Sequence, residues 1–283
     1  MSLPFVGYTV NWGVVEEVAN HLRRRAVRRL IDIAESVDPQ MAAVSEILSK
    51  YSRLEDSVFY VVSVATVSYM LTARGEEHWR LAASYSSGNP LSDLRGFVAE
   101  SPSLRLGRRA RLARVERLAS FYPRFLEEFN DYLRDLEALR RDLARVLRAD
   151  PDSKTIVFAI KMLYYAAKAA GLEVRLPPSI PVPVDRRLCL LSLVSGVIEG
   201  GTAEPREARR LLSRAPHLVR EAWSVAGRRG DVPPLRLDAL LWLLGGCYER
   251  GGRDGALRLV LELFPELPRG AEPFIRLLLG LRP

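Results

Sequence analysis

Residues 150–188 read DPDSKTIVFAIKMLYYAAKAAGLEVRLPPSIPVPVDRRL, and the order of signals in this stretch decides the fold class. Asp150-Pro151-Asp152-Ser153 is a turn rich in helix-capping residues. Ser153 stands immediately before a run whose apolar positions recur three and four apart over 154–170. Gly171 closes that helix. The segment PPSIPVPV, 177–184, is an extended connection ruled by proline, after which Asp185 caps a helix reaching about Val197.

The same helical period extends outward in both directions. Residues 13–37 carry it with a basic opposite face, and Asp38-Pro39-Gln40 breaks that helix and caps the next, which is expected to reach about Arg53. Residues 55–73 form an apolar helix, ARGEEHWR turns into a short one, and SSGNP at 86–90 breaks the chain. Tyr122-Pro123 is expected to open a long charged helix through Arg148. Further helices are expected at 205–213, 216–228, 236–248, 255–264 and 270–280. No period-two alternation is long enough to build a sheet, so the fold class is all-α.

Composition narrows the partners. The 283 residues carry a formal net charge of +8, with 48% hydrophobic and 27% charged residues. A surplus of that size suits a polyanion, either nucleic acid or an acidic membrane surface. The most basic window holds Arg105, Arg108, Arg109, Arg111, Arg114 and Arg117 against one acid, Glu116, and at helical spacing it is expected to meet phosphates. The longest uncharged run, Ser57–Ala73, contains five Ser or Thr and two Tyr, which reads as a buried core helix rather than a membrane span. The first residues do not form a signal peptide, and the expected location is cytoplasmic. Cys189 and Cys247 form no disulfide framework, and the three histidines are far apart, so no metal site is expected.

One anomaly points to chemistry. Of the 42 basic residues only four are lysines, so 42 − 4 = 38 are arginines, and Lys154, Lys161 and Lys168 lie together at seven-residue spacing. Lysine can lose its proton and attack carbon, which a guanidinium cannot. Lys154 lies in the first turn of its helix, where the helix dipole disfavours an added positive charge. Lys161, two turns on, shares nearly the same face as Lys154 and Phe158. Asp185 ends the stiff proline segment, either as a plain cap or as a fixed carboxylate. Gln40 is the only glutamine, in keeping with the amide-poor habit of heat-adapted proteins. Phosphate-binding GxxxxGK, GxSxG and GxGxxG patterns are absent.

SKTIVFAIKMLYYA followed by IPVPVDRRL resembles the archaeal GO glycosylase family, an outlying branch of the helix-hairpin-helix DNA glycosylases. DPQMAAV around Gln40, SYMLTARGEEHW from Ser68 to Trp79, and PPLRLDALLWLLG around Asp238 and Trp242 also resemble that family's blocks, in the same order. The resemblance implies two packed helical subdomains with the active site between them. Within a single glycosylase unit it implies a helix-hairpin-helix-like catalytic region over 130–197, flanked by helical parts over 13–125 and 205–283. It implies removal of 8-oxoguanine from DNA with β-lyase strand nicking, no dissociable cofactor, DNA as partner and a monomeric state. Lys154 aligns with the Schiff-base nucleophile and Asp185 with the catalytic carboxylate. Gln40, Ser68, Trp79, Phe158, Lys161, Pro183, Asp238 and Trp242 align with positions at or near the base pocket.

Four of the pocket residues also have a plainer reading. Trp79 and Trp242 can be core aromatics, Asp238 a cap and Gln40 an exposed helix-start residue. A non-catalytic helical DNA-binding protein would explain the charge, and a glycosylase for another damaged base would explain the lysine. Three features depart from related patterns: ADPDS, 149–153, lacks the hairpin glycines, Arg186 stands where an aromatic residue is expected, and Arg236 replaces an expected histidine.

Overall fold

The computed structural model describes residues 7–281. In chain order its α-helices begin with α1 (Trp12–Leu22), α2 (Arg25–Val37), α3 (Pro39–Leu48), α4 (Leu54–Val67) and α5 (Gly75–Tyr85). Next come α6 (Pro90–Glu100), α7 (Arg108–Glu127), α8 (Phe129–Arg134), α9 (Leu136–Leu147) and α10 (Lys154–Ala169). The last are α11 (Arg186–Val194), α12 (Pro205–Arg214), α13 (Pro216–Arg229), α14 (Leu237–Leu263) and α15 (Glu272–Leu278). The fold is all-α. The one departure among the described residues is a two-residue antiparallel ribbon pairing β1 (Thr9–Val10) with β2 (Ile198–Glu199).

The chain forms two compact units, one from residues 37–177 and one combining the segment up to Ser36 with that from Pro178 onward. In the 37–177 unit α10 packs on α4, α3 and α9. Every residue of α4 from Ser57 to Val67 is buried, as is α10 from Thr155 to Leu163. A helix apolar on all faces is stable only when enclosed, which explains why α4 and α10 form the centre of this unit. Gly171, at φ +73, ends α10: its N–H bonds to Lys168 O, and Leu172 N–H reaches Ala167 O. A residue with a Cβ would be strained there. The other unit packs α1 on α13 and α11 on α12 and α14. Its core includes Val15, Leu22, Leu30, Leu191, Trp223, Leu244 and Phe274.

Several boundaries differ from the sequence expectation, each for a local reason. The helix expected over 13–37 is two helices, divided at Arg23-Arg24. The bend is held by Arg28, which donates to Leu22 O and pairs with Asp231, while Gly230 packs where any Cβ would strike Leu22. The third helix stops at Leu48 rather than Arg53, and α4 stops at Val67, leaving 68–74 as a loop. Pro123 does not open a helix; it lies inside α7, and the charged stretch to Arg148 is broken again at Glu128 and at Asp135, whose carboxylate caps α9. The two helices expected at 236–248 and 255–264 are both present within the α14 span, separated by the non-helical backbone of Gly252 (φ +59, ψ −162).

The largest correction concerns the arginine window. Arg111 is fully buried, with Nε donating to Val67 O (2.9 Å) and the guanidinium also reaching the carbonyls of Leu104 and Tyr69. Arg114 donates to Thr66 O (2.6 Å) and Arg117 to Leu147 O (3.1 Å). These three satisfy backbone carbonyls left open where helices end, and Arg111 is removed from the surface, whereas Arg105 and Arg109 are exposed and Arg108, Arg114 and Arg117 half-buried.

Candidate active site

Within the 37–177 unit the site is built on two helix starts and one loop. Asp38 precedes Pro39 at the start of α3, where one carboxylate oxygen accepts from Gln40 N (2.9 Å). Its other oxygen accepts from Lys161 Nζ (3.1 Å) and Tyr165 Oη (2.8 Å), one turn apart on α10. Asp38 and Lys161 are almost wholly buried, at 1% and 2% exposure, so each charge depends on the other. Lys161 also donates to Gln40 Oε1 at 3.1 Å, and its Nζ lies 4.8 Å from the Tyr165 ring centre. An ammonium has donors only, so this bond fixes the carboxamide with its oxygen toward Lys161 and its N–H₂ edge turned away. Gln40 is 4% exposed, which removes the reading of an exposed helix-start residue.

The aromatic residues continue from this cluster. Lys161 Nζ lies 5.8 Å from the Phe158 ring, and Phe158 meets Trp79 edge-on at 6.0 Å. Trp79 is 1% exposed and 6.1 Å from His78. The His78 imidazole joins Ser68 Oγ through Nε2 (2.7 Å) and Ser103 Oγ through Nδ1 (2.8 Å). Burial, with the charges of Arg111 and Lys154 adding to it, pushes His78 down to about 3. Its neutral ring therefore has one N–H. Ser68 donates to Val64 O (2.8 Å), so Ser68 accepts from Nε2–H and Ser103 donates to Nδ1.

Lys154 is exposed in the first turn of α10, one turn before Phe158 and two before Lys161. Ser153 occupies the N-cap position but makes no capping bond; its hydroxyl is buried and unpaired. The turn is held instead by Ser153 N–H on Asp150 O (2.9 Å), Asp152 N–H on Asp150 Oδ1 (2.7 Å) and the Asp152–Arg140 ion pair. The hairpin has no glycine, and the left-handed residue that ends α9 is Arg148 (φ +51).

The remaining expected residues lie in the other unit. Pro183 is buried, and Asp185, with extended backbone, accepts from Leu188 N (2.9 Å) at the start of α11. Beneath it, burial and the Asp185 charge push the Cys189 thiol well above its usual range. Asp238, 7% exposed, and half-buried Trp242 stand one turn apart on α14. The Arg187 guanidinium lies 4.2 Å over the Trp242 ring and is held by Glu249 (3.1 Å). Arg186 pairs with the same Glu249. Arg236 binds Asp32 and the buried Glu35, tying the α14 entrance to α2. Both unexpected arginines are thus engaged by carboxylates. Among the described residues no group of three or more His, Cys, Asp or Glu could hold a metal, and no helix is long and apolar enough to cross a membrane.

Sequence reading missed Asp38, Tyr165, His78 and Arg187 as members of these clusters. Tyr165 had a signal, its i+4 spacing from Lys161; the others depend on contacts distant in sequence.

Lys154 is thus exposed at the start of α10, with the braced Gln40 amide of α3 and the Phe158–Trp79 pair placed farther along that helix. The profile of the AGOG: N-glycosylase/DNA lyase family matches residues 20–267, and the chain belongs to that family. It is 34% identical to the N-glycosylase/DNA lyase of Pyrobaculum aerophilum over 256 residues, 88% of this chain and 93% of the relative. The Methanopyrus kandleri N-glycosylase/DNA lyase is 35% identical over 257 residues, 88% and 96% of the two chains. Among solved structures, the 8-oxoguanine DNA glycosylase of Pyrobaculum aerophilum in complex with 8-oxoguanosine matches with a TM-score of 0.71 and 29% identity. That match covers 96% of this chain and 98% of the other.

Proposed function

We propose that this DNA glycosylase/lyase removes 8-oxoguanine and nicks the strand through a Schiff base on Lys154. The observation that carries the substrate is the solved relative, which holds 8-oxoguanosine and matches this chain over nearly its whole length. We read the enzyme as a cytoplasmic monomer acting on duplex DNA, with 130–197 as its catalytic region.

The damaged nucleotide must first leave the stack, because its glycosidic bond is inaccessible inside a duplex. Phe158 then meets the base with Trp79 packed behind it and Gln40 offers its oriented amide, with Ser68 and Lys161 beside them in the same unit; Pro183, Asp238 and Trp242 are the base-reading residues that the family resemblance assigns in the other unit. Guanine and 8-oxoguanine differ at the eight-oxygen and at the neighbouring nitrogen, which gains a proton. An acceptor that pairs only with that proton is left unsatisfied by guanine, and this supplies discrimination. The Lys154 amine attacks the anomeric carbon as the C–N bond to the base breaks, with the electron pair leaving on the base. Asp185 stabilises the positive charge that develops on the sugar. Opening of the sugar gives an imine, and loss of the adjacent proton expels the 3′ phosphate.

Borohydride trapping tests this reading. Wild-type protein should become covalently joined to a duplex with one 8-oxoguanine, and Lys154→Gln should not. A trapped Lys154→Gln adduct would overturn the nucleophile. Cleavage confined to uracil or an alkylated purine would overturn the substrate. Lys161 is a poor substitute nucleophile, because its amine is buried and donates to Asp38 and Gln40.

A further inference from the structure

The first half of α14 carries two adjacent glycines, Gly245 and Gly246, that the chemistry above leaves unexplained. Glycine weakens a helix interior more than any residue except proline, so two in succession need a local cause. Both are buried, and both pack against one residue of α11. A Cβ on Gly245 would come within 3.1 Å of Arg187 O and 3.2 Å of Arg187 Cβ. One on Gly246 would lie 3.5 Å from the Arg187 guanidinium carbon. Trp242, Gly245, Gly246 and Glu249 recur at three- and four-residue spacing, which places them on one stripe of the helix. The stripe is a groove with an indole at one end, a carboxylate at the other and bare backbone between.

Arg187 lies along this groove. Its guanidinium carbon is 4.2 Å from the Trp242 ring centre, and its Nε donates to Glu249 Oε2 (3.1 Å). The Arg187 and Glu249 side chains are only 17% and 16% exposed, so little water competes for either. Arg186 pairs with the other oxygen of the same carboxylate. A guanidinium is flat and matches an aromatic face, and bonding at Nε stops it turning away. With one face of the indole covered in this way, a base can meet only the opposite face or the edge. Arg187 also follows Asp185 by two positions. One side chain therefore ties the α11 start, which carries the proposed carboxylate, to the α14 face that carries Trp242.

We infer that Arg187 is a positioning residue for base excision: it sets the Trp242 indole in the orientation that receives the extruded base. This rests on the proposed function for the place of Trp242 at the base, and on the groove alone for the hold on the ring. Arg187 acts through that ring and takes no part in bond breaking. Its effect belongs to the step that has a base to orient. Strand nicking at a site whose base has already left needs the Lys154 amine but no ring.

The test uses Arg187→Met in the full chain, because methionine is unbranched and can fill the groove without the charge or the flat stack. The first measurement needs no DNA. The near-ultraviolet circular dichroism of Trp242, obtained in each background by subtracting the Trp242→Phe spectrum, should largely disappear in Arg187→Met. An unchanged band would overturn the inference whether or not 8-oxoguanine is the substrate. The second measurement is single-turnover release of 8-oxoguanine from duplex DNA at saturating protein. Arg187→Met should be slowed about tenfold or more, with nicking of a preformed abasic site little changed. Equal slowing of both steps would overturn the inference, because that pattern indicates a displaced Asp185. Arg187→Met combined with Trp242→Ala should be no slower than Trp242→Ala alone, and additive losses would overturn the route through the ring. Arg186→Ala removes a cation from the same Glu249 without touching the indole and should release the base at the wild-type rate; slowing equal to that of Arg187→Met would overturn the inference. If Arg187→Met does not fold, Arg187→Lys, which keeps the charge but not the flat stack, should give the same pattern with a smaller loss. A wild type that changes its dichroism as expected but releases no 8-oxoguanine would overturn the substrate assignment and leave the hold on the ring standing.

Discussion

Lys154 and Lys161 lie seven residues apart on the same helix, and their surroundings differ completely. Lys154 is exposed at the first turn of α10, whereas Lys161 is buried at its middle between Asp38, Gln40 and Tyr165. The arginine window repeats the contrast over two residues: Arg109 is exposed, and Arg111 is enclosed by the carbonyls of the 67–70 loop. In both pairs one cation lies at the surface and the other is buried, where it braces the groups around it. Charge type and spacing alone do not separate the two roles. Solvent and partner do.

The comparison can be broken most directly at the lysines. Lys154→Gln should abolish covalent trapping while leaving the unfolding midpoint within about 0.5 kcal/mol of wild type, as for an ordinary surface change. Lys161→Met should do the reverse in chemical denaturation. It leaves Asp38 buried with its charge uncompensated, which costs about 3–5 kcal/mol. Adding Asp38→Asn should restore part of that loss, and equal stability of Lys161→Met and wild type would show that the pair does not hold the cluster together.

The arginines give a smaller effect of the same form. Arg111→Met strands several buried carbonyls and should destabilise by about 2–3 kcal/mol. Arg109→Ala should leave stability unchanged but reduce by about one the slope of log affinity for DNA against log salt. A salt slope unaltered by Arg109→Ala would remove the exposed half of the window from the DNA interface.

A pH-dependent effect sharpens the His78 bridge. The folded-state imidazole sits at about 3, below the ordinary value of 6.5, so on acidification the unfolded chain takes up its proton first. Stability should therefore be unaffected by this group above about pH 6.5 and should fall as pH drops toward 3, by up to about 1.4 kcal/mol per pH unit. His21, also depressed by burial, contributes in the same direction. Urea unfolding at pH 7 and pH 5 should show a smaller difference for His78→Gln than for wild type; an equal difference would mean that His78 is not held neutral.

The fold was legible in sequence where its cause is local. Apolar positions at helical spacing, the Asp38-Pro39 start, Gly171 and the Pro177–Val184 connector all act within a few residues, and each lies where the pattern put it. Misplaced boundaries, at Arg23-Arg24 and at Pro123, arose where distant groups hold the bend or where packing tolerates a proline inside a helix.

The candidate site was legible in a different way. Lys154 was singled out by residue usage and Asp185 by its position after the prolines, but the bracing of the pocket was not legible at all. The Asp38–Lys161 contact joins residues 123 positions apart. Arg111 reaches Val67 across 44. Sequence by itself determined an all-α chain, its family blocks and a lysine suited to attack carbon. Only the tertiary structure decided which cations are buried, because burial is a property of what the rest of the chain packs against them. That packing turns Lys161 and Arg111 into braces and leaves Lys154 and Arg109 facing outward.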